Sequence, residues 1–135
     1  MTKTKKIIYW VATLWLALGM TATASGQLLR WNEGQGAADM MIHLGYPVYL
    51  LTILAVAKLL GVVAVLVPGL PLLKEWAYAG FFFVMAGAIF SHLAVGDTIV
   101  EILPALLLVI LTVVSWYLRP VSRRLPDTQM IAAEA

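Results

Sequence analysis

The side chains of this chain that could do chemistry sit at the ends of long apolar runs, with one conspicuous exception inside a run. Ser91, His92, Asp97 and Glu101 close a membrane-length stretch that begins at Trp76, and Tyr46 opens an earlier one. The exception is Lys58, which lies 11 residues past Pro47. At ~1.5 Å per residue that is ~16 Å along a helix, near the middle of a ~30 Å hydrocarbon core. A central lysine costs ~2.5–3.5 kcal/mol on insertion scales, so it faces a partner or a water-filled interior, or it snorkels. Lys58 or His92 can donate to a carbonyl oxygen and Glu101 can relay a proton, so Tyr46, Lys58, His92, Asp97 and Glu101 form a candidate pocket for a quinone-like headgroup.

Each of these residues also has a structural reading. Lys58 can simply pair to hold helices together. Glu101 is its expected mate, across a height gap of ~11 Å that calls for a bridging water. Asp97 can cap the helix that follows it, and His92 can bond a neighbouring carbonyl at the interface. Gly80, Gly87 and Ser91, at i, i+7 and i+11, share one helix face and are expected to let another helix approach closely. Phe81, Phe82, Phe83 and Phe90 read as lipid-facing or core filler rather than a cofactor box.

The composition leaves little doubt about the solvent. Of 135 residues, 62% are hydrophobic and 12% charged, with mean hydropathy +0.93, whereas soluble domains are roughly 45–50% apolar. The basic clusters Lys3/Lys5/Lys6 and Arg119/Arg123/Arg124 abut apolar runs, which marks membrane orientation rather than a nucleic-acid surface. With no cysteine, disulfide exchange, thiolate zinc and iron–sulfur ligation by this chain alone are excluded. Only His43 and His92 are available to a haem, and they would have to converge from a loop and a helix end. No metal and no bound cofactor is expected, a quinone being the one candidate. A transporter is disfavoured, because four spans in one copy leave little room for a central path.

The expected architecture is all-α, a polytopic four-helix bundle with spans at about 7–26, 47–67, 76–95 and 98–118, forming one domain over 1–118, and a short tail over 119–135. The first run follows a basic segment and contains Ala22-Thr23-Ala24, in the order of a signal peptide. It is longer than a typical ~7–15-residue signal core, so it is expected to stay as a span. Residues 27–45 form the polar connector, carrying Arg30, Glu33, Asp39 and His43, with Gly34 and Gly36 in its middle. Within it, 37–44 can form a short interfacial helix with Met40, Met41 and Leu44 on its apolar side. Pro68, Gly69 and Pro71 force a turn, and Gly96-Asp97 leaves room only for an antiparallel hairpin.

Several of these stretches together resemble the DoxX-like family of small bacterial four-helix membrane proteins: Gly45-Tyr46-Pro47, Lys58-Leu59-Leu60-Gly61, the run from Leu73-Lys74-Glu75-Trp76 through Ala77-Tyr78-Ala79-Gly80-Phe81, Gly87-Ala88 with Ser91-His92, Gly96-Asp97 and Pro104. The likeness extends roughly from Tyr9 to Trp116. It implies a multi-pass protein of the bacterial cytoplasmic membrane, some relatives being linked to quinone-coupled thiosulfate oxidation or to membrane oxidoreductase complexes. It carries no agreed catalytic motif onto this chain. The expected role is a non-catalytic subunit or scaffold whose partners are the lipid bilayer and a membrane oxidoreductase or a second copy of itself. Ligand binding at the outer pocket is the alternative.

Orientation follows from the basic residues. Lys3, Lys5, Lys6, Lys74, Arg119, Arg123 and Arg124 fall on one side of the four spans and only Arg30 on the other, which places both termini in the cytoplasm. Reporter fusions at Pro71 and Arg124 should therefore report cytoplasm and one at Gly34 the exterior. A periplasmic signal at Arg124 would remove a span.

Overall fold

The heptad-like spacing of buried residues on each long helix builds the fold. On α1 (Lys3–Leu29) the inward positions are Tyr9, Thr13, Leu16, Met20 and Ala24. On α3 (Leu50–Leu66) they are Leu51, Ala55, Lys58, Val62 and Val65. On α4 (Pro71–Ala94) they include Lys74, Tyr78, Phe81 and Met85, and on α5 (Ile99–Tyr117) Ala105, Leu108, Thr112 and Ser115. Alternating steps of three and four keep one seam on one side of a helix, the pattern of near-parallel bundle packing. A short α2 (Ala37–Leu44) precedes α3, and a 3₁₀ turn (Val121–Arg123) follows α5. These elements come from a computed structural model, which describes residues 2–29 and 37–126. Arg30, Glu33, Gly34 and Gly36 of the expected connector, and the tail from 127 onward, lie outside the described residues.

Among the described residues every regular element is helical, and α1, α4 and α5 are each long and apolar enough to cross a membrane. The fourth apolar helix, α3, has 17 residues, ~25 Å of rise. Its expected start at Pro47 shifts to Leu50, because residues 47–49 form a turn whose carbonyls accept from the N–H groups of Leu50, Leu51 and Thr52. Conversely α4 starts at Pro71 rather than Trp76, since proline fits the first helical turn, and α1 runs a turn past its expected end at Gly26.

The four long helices close a ring in which α1 packs on α3 and α5, and α4 on α3 and α5. Leu16, Met20 and Val65 are fully buried at its centre, with Phe81, Leu108 and Leu111 around them. Two glycines permit the closest approaches. A Cβ on Gly61 would lie 2.6 Å from the Phe81 ring, and one on Gly19 would lie 2.9 Å from Leu108. The expected stripe does not serve this purpose: Gly80 and Gly87 are exposed, with nothing within 4 Å of a Cβ built on either. Their shared face points away from the seam of Lys74, Tyr78, Phe81 and Met85. Of that stripe only Ser91 is buried.

One end of the ring is held by cations. Lys74 is 1% exposed, not a loop charge as its sequence position suggested. It donates to the carbonyls of Ala64, at 2.7 Å, and Val67. Arg123 donates to the carbonyls of Val65, Leu66 and Val67 at 3.0, 3.3 and 3.4 Å and covers the Trp10 ring at 4.9 Å. The last carbonyls of a helix have no partner in the helix itself, so two cations on the negative end of α3 tie α4 and the chain's C-terminal segment to it. Glu75 adds Arg119 at 2.6 Å and the Trp116 indole at 2.9 Å. Above this layer Ser115 bonds both Thr13 at 2.6 Å and Tyr78 at 2.8 Å, joining α1, α4 and α5.

Gly61→Ala should therefore lower thermal stability in detergent by about 1–3 kcal/mol through overpacking against Phe81, while Gly87→Ala leaves it unchanged or slightly raised. Equal losses at the two glycines would contradict this packing.

Candidate functional site

The opposite end of the ring carries the chemistry the sequence suggested, in a different arrangement. Helix α4 ends in a Schellman turn: Gly96 has φ 80°, its N–H bonds the Leu93 carbonyl at 3.2 Å, and the Asp97 N–H bonds the His92 carbonyl at 2.9 Å. This reversal folds the Asp97 side chain back over the last turn of α4. His92 Nδ1–H then donates to Asp97 Oδ2 at 2.6 Å, and from α2 His43 Nε2–H donates to Oδ1 at 2.7 Å. An ionised carboxylate only accepts, so each facing nitrogen carries the proton. The hydrogen bonds from His92 and then His43 hold the Asp97 carboxyl below its ordinary range. His92 is buried and His43 about half exposed.

Asp97 is thus neither a free site residue nor the cap of α5. Thr98 takes the cap position, and its hydroxyl donates to the Glu101 carboxylate, the N-cap to N3 relation of a helix start. This corrects the expected pairing of Glu101 with Lys58. Lys58 is 4% exposed and turns toward α1, where its Nζ donates to Gln27 Oε1 at 3.1 Å and Thr23 Oγ1 at 3.3 Å. The longer α1 supplies the reason, because its extra turn carries Gln27 onto the face that already presents Thr23. Lys58 makes no ion pair among the described residues.

Lys58 and Tyr46 meet at a partly open cavity of about 220 Å³ between α1, α2, α3 and α4. Its polar lining is Lys58, Gln27, Tyr46 and Ser91, the last two bonded hydroxyl to hydroxyl at 2.6 Å. Met41 and Leu44 of α2 cover it, and Leu54 and Met85 make apolar walls. Gly87 and Phe83, both exposed, form a side opening. The short helix expected at 37–44 is present, with Met41 inward and Met40 half exposed. His92, the residue after Ser91, does not line the cavity, and neither do Asp97 and Glu101.

Sequence reasoning missed Gln27, Thr23 and the joining role of His43. Gln27 was assigned to the connector, Thr23 was weighed only as part of a cleavage-like Ala22-Thr23-Ala24, and His43 only as a connector residue and a haem candidate. Two open grooves on the outer surface, of about 350 Å³ between α4 and α5 and about 640 Å³ between α3 and α4, are walled chiefly by apolar and aromatic residues such as Phe82 and Trp76. The first is also bordered by Tyr78, Thr112 and Trp116, whose polar hydrogens are already bonded within the protein, and the second by Lys58, without the amide and hydroxyl partners that join it at the cavity. Among the described residues no cluster of His, Asp and Glu has metal-site geometry.

The model of the DoxX-like family matches residues 11–114 of the chain. No curated protein and no solved structure matches it.

Because the imidazoles depress the Asp97 pKa, the stabilisation they bring is complete above the ordinary value of 3.8 and is lost as pH falls through the lower folded value. The carbon-13 resonance of the Asp97 carboxyl should thus titrate below 3.8. His92→Ala should raise its midpoint more than His43→Ala does. A midpoint that neither substitution moves would show that the imidazoles do not hold the carboxylate.

Proposed function

The chain belongs to the DoxX-like family, and on that premise we propose that it is a four-span protein of the bacterial cytoplasmic membrane whose outer cavity binds a quinone-like or other apolar-tailed molecule with an oxygen-acceptor headgroup. The carrying observation is Lys58: a cation 4% exposed, held by two neutral side chains and lining an otherwise largely apolar cavity. Ionisable groups at membrane depth are rare because they are costly, and they mark ligand or ion sites. A volume of about 220 Å³ is below the ~300–1,000 Å³ of sites that enclose a whole drug-sized ligand. It suits a headgroup, with the tail leaving past Gly87 and Phe83 into the acyl chains.

The four-span topology rests on α3 together with its entry turn. Residues 47–66 number 20, enough for a ~30 Å core. The gathering of Lys74 and Arg123 at one end, beside the start of α1, supports the cytoplasmic placement of both termini.

A non-catalytic role within a membrane oxidoreductase system accompanies this reading. Both histidines of the chain are committed to Asp97 and there is no cysteine, so electron transfer falls to a partner protein or to the bound molecule itself.

Native mass spectrometry of protein extracted from its own membrane tests the cavity. Wild type should carry an amphipathic adduct that Gly87→Leu, at the opening, removes and Gly80→Leu, in the neighbouring outer groove, retains. No adduct, or equal retention in both variants, would reject the site.

A further inference from the structure

The hydrogen-bonding inventory of the cavity identifies the charge of what fills it. An ammonium has three N–H donors, and Thr23 and Gln27 take two of those on Lys58. One remains. An ammonium can face only the oxygen of an amide, so with Oε1 of Gln27 turned to Lys58 the two donors of its NH₂ group lie on the other side. In the Tyr46–Ser91 pair one hydroxyl proton is shared and the other is free to donate. Lysine, amide and hydroxyl therefore all present donors, while no carboxylate is among the described lining residues.

Among the described residues no acid lines the cavity or bonds Lys58, although Asp39 of α2 has a buried Oδ2 without a partner. Asp97 accepts from both imidazoles and Glu101 from Thr98. Asp39 of α2 is not part of the lining. Among the described residues the partners of this buried cation are all neutral, so its charge is not offset, and a buried charge is most readily accommodated by an opposite charge in contact with it. Lone surface cations can turn to water. Lys58 is enclosed by protein and, in a membrane, by lipid.

Resting on the binding reading above, we infer that the physiological occupant is an amphipathic anion of the carboxylate or enolate type. One oxygen of its headgroup meets the third Lys58 donor, a second meets the Gln27 amide or the Tyr46–Ser91 hydroxyls, and a single apolar tail leaves between Phe83 and Gly87. A neutral quinone offers the same donors two carbonyl oxygens but leaves the ammonium uncompensated, so it is the weaker ligand.

The test uses the purified full chain in nanodiscs of zwitterionic lipid, with decanoate, decanol and a decyl-benzoquinone as probes of equal tail length, at pH 7 where a carboxylate is ionised and a lysine amine protonated. Decanoate should bind at least about tenfold more tightly than decanol or the quinone, because it alone offsets the buried charge. Lys58→Met should abolish that preference and Lys58→Arg should keep most of it. Gly87→Leu should weaken all three probes together, which keeps the test decisive if Lys58→Met fails to fold. Quinone bound as tightly as decanoate would overturn the anion while leaving the cavity reading intact. Binding of all three unaffected by Gly87→Leu would overturn both.

Discussion

In a hydrocarbon solvent every buried polar group must find its partner within the protein, and the two buried lysines of this chain meet that constraint in opposite ways. Lys74 finds carbonyl oxygens that were themselves without partners, the last acceptors of α3. Cation and helix end are satisfied by the same bonds, and the negative end of the helix dipole adds to them. Lys58, in mid-helix, has no free carbonyl within its own turn and is met by two neutral side chains from α1. The first arrangement closes on itself, and the second leaves one donor of a buried charge without a partner among the described residues.

That difference divides the ring into two halves. In the half near the chain's ends, Arg123, Lys74, Glu75 and Arg119 cross-link the α3, α4 and α5 termini, and Ser115 draws in α1 through Thr13. The apolar centre of Leu16, Met20, Phe81 and Leu108 separates this layer from Lys58. In the other half the helices are joined by Tyr46 with Ser91 and by the imidazoles on Asp97, and packing gives way to a cavity. The run from Lys74 to Phe81 that most resembled the family explains itself as architecture: Lys74 closes α3, Glu75 holds α5, Tyr78 reaches Ser115 and Phe81 fills the hollow at Gly61.

Much of this was legible in the residues, because periodicity and cost are properties of sequence. The distance of Lys58 from Pro47 and the cost of a central lysine place it inside the bundle, whereas Lys74, lying before the span expected to start at Trp76, read as a charge outside it. What periodicity cannot give is the direction in which a shared face points. Gly80, Gly87 and Ser91 do share a face, but the heavier seam beside it, with Phe81 and Met85, turns the two glycines outward. Nor does a depth estimate choose a partner: Glu101 was weighed by height alone, while α1, ended one turn early at Gly26, hid Gln27. The Schellman turn at Gly96 was signalled by its glycine, yet its consequence, an aspartate folded back onto His92, depends on backbone geometry rather than on residue type.

The lid over the cavity follows from the same economy of bonds. Helix α2 has only eight residues, too few to be stable alone, and it is held by its packing on α1 and α3, by His43 on Asp97 and by burial of Met41. Burying one methionine contributes roughly 1.5–3 kcal/mol relative to water, a scale on which an open form is populated at about the per cent level. His43 is half exposed, so its bond adds less than a buried one would. Because Asp97 belongs to the α4–α5 turn, the position of α2 over the cavity is set by the two helices whose other ends Glu75 and Arg119 join.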